Sequence, residues 1–173
     1  MARAGKKSQP TRLAPTSSIV GNINRPGSAS AEAELRRNAL LEVTAVYAEL
    51  EKRPIERSCQ LRTECCQFKL TGRVPMVTAG EAEIAARGFR GSGRKTLTER
   101  ADGACPLLIE RTGKCMAYTS RPLGCRTHFC EAAGGPRPRS GIVDLIRRLE
   151  RADEVLGGCG PRPLTAALRD ALT

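Results

Sequence analysis

The stretch CPLLIERTGKCMAYTSRPLGCRTHFC, residues 105–130, carries four of the eight cysteines of the chain. Cys105, Cys115 and Cys125 fall ten residues apart and Cys130 follows five later. The only histidine, His128, lies between the last two. The pattern reads as two short strands around a Thr112-Gly113 turn, then a short helix with Thr119 or Ser120 near its cap and Pro122 in its first turn. The even spacing of the thiols follows from that strand–turn–strand–helix layout.

Upstream, ERSCQLRTECCQFKL (56–70) holds Cys59, Cys65 and Cys66, and Cys159 sits between glycines near the C-terminus. Eight cysteines in a secreted chain would read as four disulfides. The first thirty residues argue otherwise, because a signal peptide needs about 7–15 consecutive apolar residues and Ile19-Val20 is the only adjacent pair of large aliphatics there. No stretch approaches the roughly 20 apolar residues of a membrane span. The expected compartment is therefore the cytoplasm, where clustered thiols bind metal or do redox chemistry more often than they form bridges.

Soft thiolates suit a tetrahedral Zn²⁺ or an iron–sulfur cluster, each usually taking four donors. Neither paired C-x2-C blocks nor a ferredoxin run is present, so spacing identifies a thiolate-rich site and leaves the metal open. The candidate ligands are Cys59, Cys65, Cys66, Cys105, Cys115, Cys125 and Cys130, with His128 and Cys159 as further candidates. His128 is equally readable as a donor behind the ligands or as an ordinary surface residue. A thiol nucleophile paired with His128 would want a third orienting group that so short a helix rarely supplies. Arg57, Arg62, Arg111, Lys114, Arg121 and Arg126 flank the two groups. Positive neighbours favour thiolates, although arginine is common throughout so basic a chain.

Formal net charge is +11. Residues 1–30 contribute five basic side chains and no acid, and the remainder carries 24 basic against 18 acidic residues. The basic balance permits attraction to phosphate backbones. Aromatics, on which single-stranded nucleic acid stacks, are only 3% of the residues, which disfavours nucleic acid as partner. A protein partner or substrate is left unspecified.

Residues 1–30, rich in Ser, Pro, Gly and basic side chains, read as a disordered tail. A single domain is expected over 31–173. Its first helix is capped by Ser30 and closed near Pro54, with Leu35, Ala39, Val43, Val46 and Leu50 on one face. A second begins at Thr78, which has capping-box spacing to Glu81, and stops near Gly88. Helices are also expected within 140–172: one capped by Ser140 with Ile142, Leu145, Ile146, Leu149 and Leu156 inward, and a last one, with Leu164, Leu168 and Leu172, packed weakly. The expected fold is α+β, mostly helical and irregular, centred on the cysteines, with one short β-hairpin.

In order, these elements resemble the YkgJ-type cysteine-cluster family, a zinc- or iron-chelating domain named for its CxxCxxCC signature. The resemblance rests on Cys59, Cys65 and Cys66; Val77, Thr78, Glu81 and Glu83; Cys105, Pro106 and Leu108; Gly113, Cys115 and Tyr118; and Arg121, Pro122, Cys125, Arg126 and Cys130. It covers about residues 55–131 and implies a metal- or iron–sulfur-binding module, serving redox or protein-modification chemistry in some members. Arg62 stands where the second signature cysteine should fall. Cys159 or His128 is expected to replace that donor, the alternative for Cys159 being an ordinary surface thiol. The other functional reading is a nucleic-acid-binding zinc module that uses the basic tail. No glycine-rich nucleotide fingerprint and no CxxxCxxC run is present.

Overall fold

The computed structural model describes residues 26–57 and 62–173. Six α-helices and one two-stranded sheet lie among them: α1 (Pro26–Lys52), α2 (Phe68–Thr71), β1 (Met76–Val77), α3 (Ala79–Gly91), α4 (Leu123–Thr127), α5 (Val143–Val155), β2 (Arg162–Pro163) and α6 (Leu164–Leu172). The fold is thus mostly helical α+β. No described helix is long and apolar enough to cross a membrane.

Two apolar clusters organise these elements. In the first, α1 lies along α5: Val43, Val46 and Leu50 meet Ile142, Leu145, Leu149 and Ala152. Ion pairs flank this seam, with Arg148 donating to Glu42 at 2.6 Å and Arg53 to Asp144 at 2.9 Å. In the second, Ala82, Ala85, Ala86 and Phe89 of α3 meet Leu164, Ala167 and Leu168 of α6. Ile142, Leu145 and Leu149 are buried as expected, whereas Ile146 and Leu156 are only partly covered. Leu35 is 59% exposed, since the buried stripe of α1 begins only at Ala39.

Several sequence-based expectations are corrected. The first helix starts at Pro26, ahead of Ser30; proline's fixed φ suits a first turn. The capping box at Thr78 and Glu81 forms, but α3 continues past Gly88 to Gly91. A Cβ on Gly88 would lie 2.6 Å from Ser120 Oγ, so this glycine serves close packing and does not end the helix. Ser140 caps nothing; it sits in a 3-10 turn (Arg139–Gly141) before α5. The last helix packs firmly, with Leu164 and Leu168 fully buried.

The expected hairpin over 105–118 is reduced to one antiparallel bridge, Leu108 to Cys115. Two hydrogen bonds hold its turn, Ile109 N–H to Lys114 O and Gly113 N–H to Ile109 O, both 2.8 Å. Gly113 takes φ 65° there, a conformation glycine adopts without strain. The sheet forms elsewhere, from Met76–Val77 and Arg162–Pro163. Pairs so short carry little alternation, which is why the pattern did not reveal them.

Candidate metal centre

Three separate segments bring thiols to one cavity. Cys65 and Cys66 lie in a 3-10 turn, Glu64–Cys66, entered through Thr63 in the left-handed region at φ 61°. The turn is tied to the second segment by Cys105 N–H donating to Cys66 O at 2.7 Å. Cys115 stands across the single bridge from Leu108. Cys125 is carried by α4, after the 3-10 turn Tyr118–Ser120 and the cap residue Pro122.

Cys65, Cys66, Cys105, Cys115, Cys125 and His128 all line a cavity of about 700 Å³. The thiols Cys66, Cys105, Cys115 and Cys125 also belong to the apolar cluster between α3 and α6. The site is therefore built into the edge of the core.

Within it, Cys65 Sγ and Cys66 Sγ are 4.0 Å apart. Two thiolates on one tetrahedral zinc would stand about 3.8 Å apart, given Zn–S bonds of about 2.3 Å. Among the described residues, no group of three or more His, Cys, Asp or Glu side chains is already gathered around one point. The thiols thus form a loose ring, and an ion would have to draw them closer, with Cys59 lying outside the described residues.

The electrostatics of the ring are set by burial and by the thiols themselves. Cys65 is brought down to about 6, chiefly by its hydrogen bond with Cys66 and further by the Arg121 charge. Cys66, the other half of that pair, is pushed up. Burial pushes Cys105 up to about 12 and raises Cys115 and Cys125. Ionisation of Cys66 is opposed by the charges of Cys65, Cys105 and Cys115, and that of Cys125 by those of Cys105, Cys115 and Cys65. Thiols that repel one another as thiolates need a cation to ionise together.

The remaining candidates lie differently. Cys130 caps the 3-10 turn Glu131–Ala133 and does not line the cavity. His128 does line it, half-buried, with its ring held below the usual histidine range by burial and by Arg73. Cys159 is exposed and lines a different cavity, with Arg36 and Asp153. Of the two residues expected to replace the donor missing at Arg62, His128 lines the cysteine cavity and Cys159 does not; the loop after α5 that carries Cys159 is held by Asp153, which accepts from Gly160 N–H at 2.9 Å.

Of the flanking cations, Arg121 is the one whose charge reaches Cys65, Cys115 and Cys125. It lies 3.8 Å over the Tyr118 ring. Arg57 is committed to the carbonyls of Gly134 and Gly135. Arg126 is committed to Glu51 and to the face of Tyr47, and Arg62 pairs with Glu64 at 2.8 Å.

Two residues that support the site were not singled out for that role by sequence. Glu81, read there as a helix cap alone, also reaches α4. Asp153 was missed; its carboxylate accepts from Ala79 N–H at 2.6 Å and so fixes the start of α3. Its signal was present: Leu149, Ala152, Asp153 and Leu156 fall on one helical face, and an acid in an otherwise apolar stripe needs buried donors.

Residues 57–140 match the family model CxxCxxCC, described as "Putative zinc- or iron-chelating domain". No curated protein and no solved structure matches the chain.

Proposed function

We propose, from the match of residues 57–140 to the CxxCxxCC family model, that the chain binds one zinc ion or iron–sulfur cluster through thiolates drawn from Cys65, Cys66, Cys105, Cys115 and Cys125. Cys59, which opens the same signature, is a further donor. The observation that carries the reading is that five thiols from three segments share the wall of one cavity. The donor set fits: soft sulfur ligands in excess of the four that either centre needs.

When bound, a zinc ion would cross-link the three segments, and an iron–sulfur cluster would add a one-electron couple. The chain's own residues do the rest. Cys105 N–H ties the vicinal pair to its neighbour, Cys105 itself is buried while the other four thiols are partly exposed, and Arg121 offsets thiolate charge. The cavity opens beside the thiols, which favours redox or protein-modification chemistry over a purely structural ion.

Cobalt substitution tests the ligand set. The full chain, titrated anaerobically with Co²⁺, should develop sulfur-to-cobalt charge-transfer absorption that saturates at one equivalent. Cys125→Ala should lose most of that absorption and Cys159→Ser should keep it. Absence of such absorption in the folded parent chain would refute the reading.

A further inference from the structure

The 700 Å³ cavity is far larger than a metal ion requires and falls within the range of sites for small organic molecules. Its walls are of two kinds. The thiols, Phe68, Leu107 and Leu164 make a sulfur and apolar surface. Arg73, Lys114 and Arg121 supply positive charge, and among the described residues no Asp or Glu lines it.

That single sign is local. A second cavity mixes Arg36, Arg87, Arg90 and Arg162 with Glu83, Asp153 and Asp170. There Arg36 and Arg87 pair with Glu83, and Arg162 pairs with Asp170. Among the described residues, Arg73, Lys114 and Arg121 have no carboxylate partner. One could assign all three cations to the thiolates. Arg121 fits that role, since its charge reaches three of the thiols. Arg73 and Lys114 are exposed and have no such assignment. Val74 and Tyr118, on the same lining, are 42% and 48% exposed, so apolar surface lies open beside those charges.

We propose that this cavity holds a small organic anion, its apolar body against Phe68, Val74 and Tyr118 and its carboxylate or phosphate group met by Arg73 and Lys114. What such a molecule would face inside, a metal centre, rests on the reading above; the binding of the anion does not.

The test uses the full chain purified anaerobically, with its metal content measured on each sample. The probe is 8-anilinonaphthalene-1-sulfonate, an apolar body bearing one anionic group, against its uncharged counterpart N-phenyl-1-naphthylamine. The sulfonate dye should saturate at one site per chain. The double variant Arg73→Gln, Lys114→Gln should weaken it by about tenfold while leaving the uncharged dye within about twofold and the circular dichroism unchanged. Displacement by 4-phenylbutyrate or by phenyl phosphate then tells a carboxylate site from a phosphate site. Absence of saturable binding, or equal loss of both dyes in the variant, would overturn the inference. Metal without dye binding sinks the anion site alone, and dye binding without metal sinks only the metal reading.

Discussion

The carboxylate of Glu81 accepts a hydrogen bond from the backbone N–H of Leu123 at 2.7 Å. Glu81 belongs to α3 and Leu123 opens α4, the helix that bears Cys125. The same side chain accepts from Thr78 N–H at 2.9 Å and from the Tyr47 hydroxyl at 3.4 Å. A carboxylate only 3% exposed thereby joins α1, α3 and the cysteine helix.

Removing it leaves those donors buried without an acceptor. Glu81→Ala should cost about 3 kcal/mol of stability, read by urea unfolding, and should lower metal occupancy by releasing α4. A loss under 1 kcal/mol would show that the network does not position that helix.

Glu81 also sets a pH dependence. Burial raises its pKa above the ordinary carboxylate range, outweighing the donors that lower it. The folded chain therefore holds this proton to higher pH than the unfolded chain, and the group subtracts stability as pH rises from the ordinary value through the raised one. Glu81→Gln lacks that titration. The stability gap between parent and Glu81→Gln should shrink between pH 4.5 and pH 7, measured with both proteins in the same metal state. A gap that widens would reverse the sign argued here.

Gly88 and Ser120 form a close approach that a side chain would break. A Cβ at 88 would lie 2.6 Å from Ser120 Oγ and 2.7 Å from its Cβ. Gly88→Ala should destabilise by about 1–3 kcal/mol, although alanine favours the helix intrinsically. Ser120→Gly, which removes both clashing atoms, should recover most of the loss in the double variant. Additive losses in the thermal midpoint would place the cost elsewhere.

Leu168 is fully buried between α6 and α3. Leu168→Ala should cost about 2–5 kcal/mol by lost burial and cavity formation. A shift in chemical denaturation below 1 kcal/mol would mean that α6 packs as loosely as its sequence suggested.

Much of this was legible in the residues. Apolar spacing placed the stripe from Ala39 to Leu50, and the Thr78–Glu81 spacing announced a capping box. Thiol clustering named the segments that share the cavity. What escaped had physical reasons. Two-residue strands carry no period, so Met76–Val77 and its partner were invisible. Gly88 reads as a stop signal by residue type, and only its tertiary neighbour Ser120 explains it. Cys159 sits between glycines, but Asp153 holds the loop that carries it, and an acid's partners 74 residues away in sequence are not written in local pattern. Cys130 shares its short motif with Cys125, yet the chain turns after α4 and leaves it off the cavity wall.

The most direct test of the thiol ring is elemental analysis of the anaerobically purified full chain together with its visible spectrum. One zinc per chain without colour, or iron and sulfide with brown absorbance, is the expected result, and Cys125→Ala should lose most of it. A cooperatively folded, colourless parent protein containing neither metal would contradict the account.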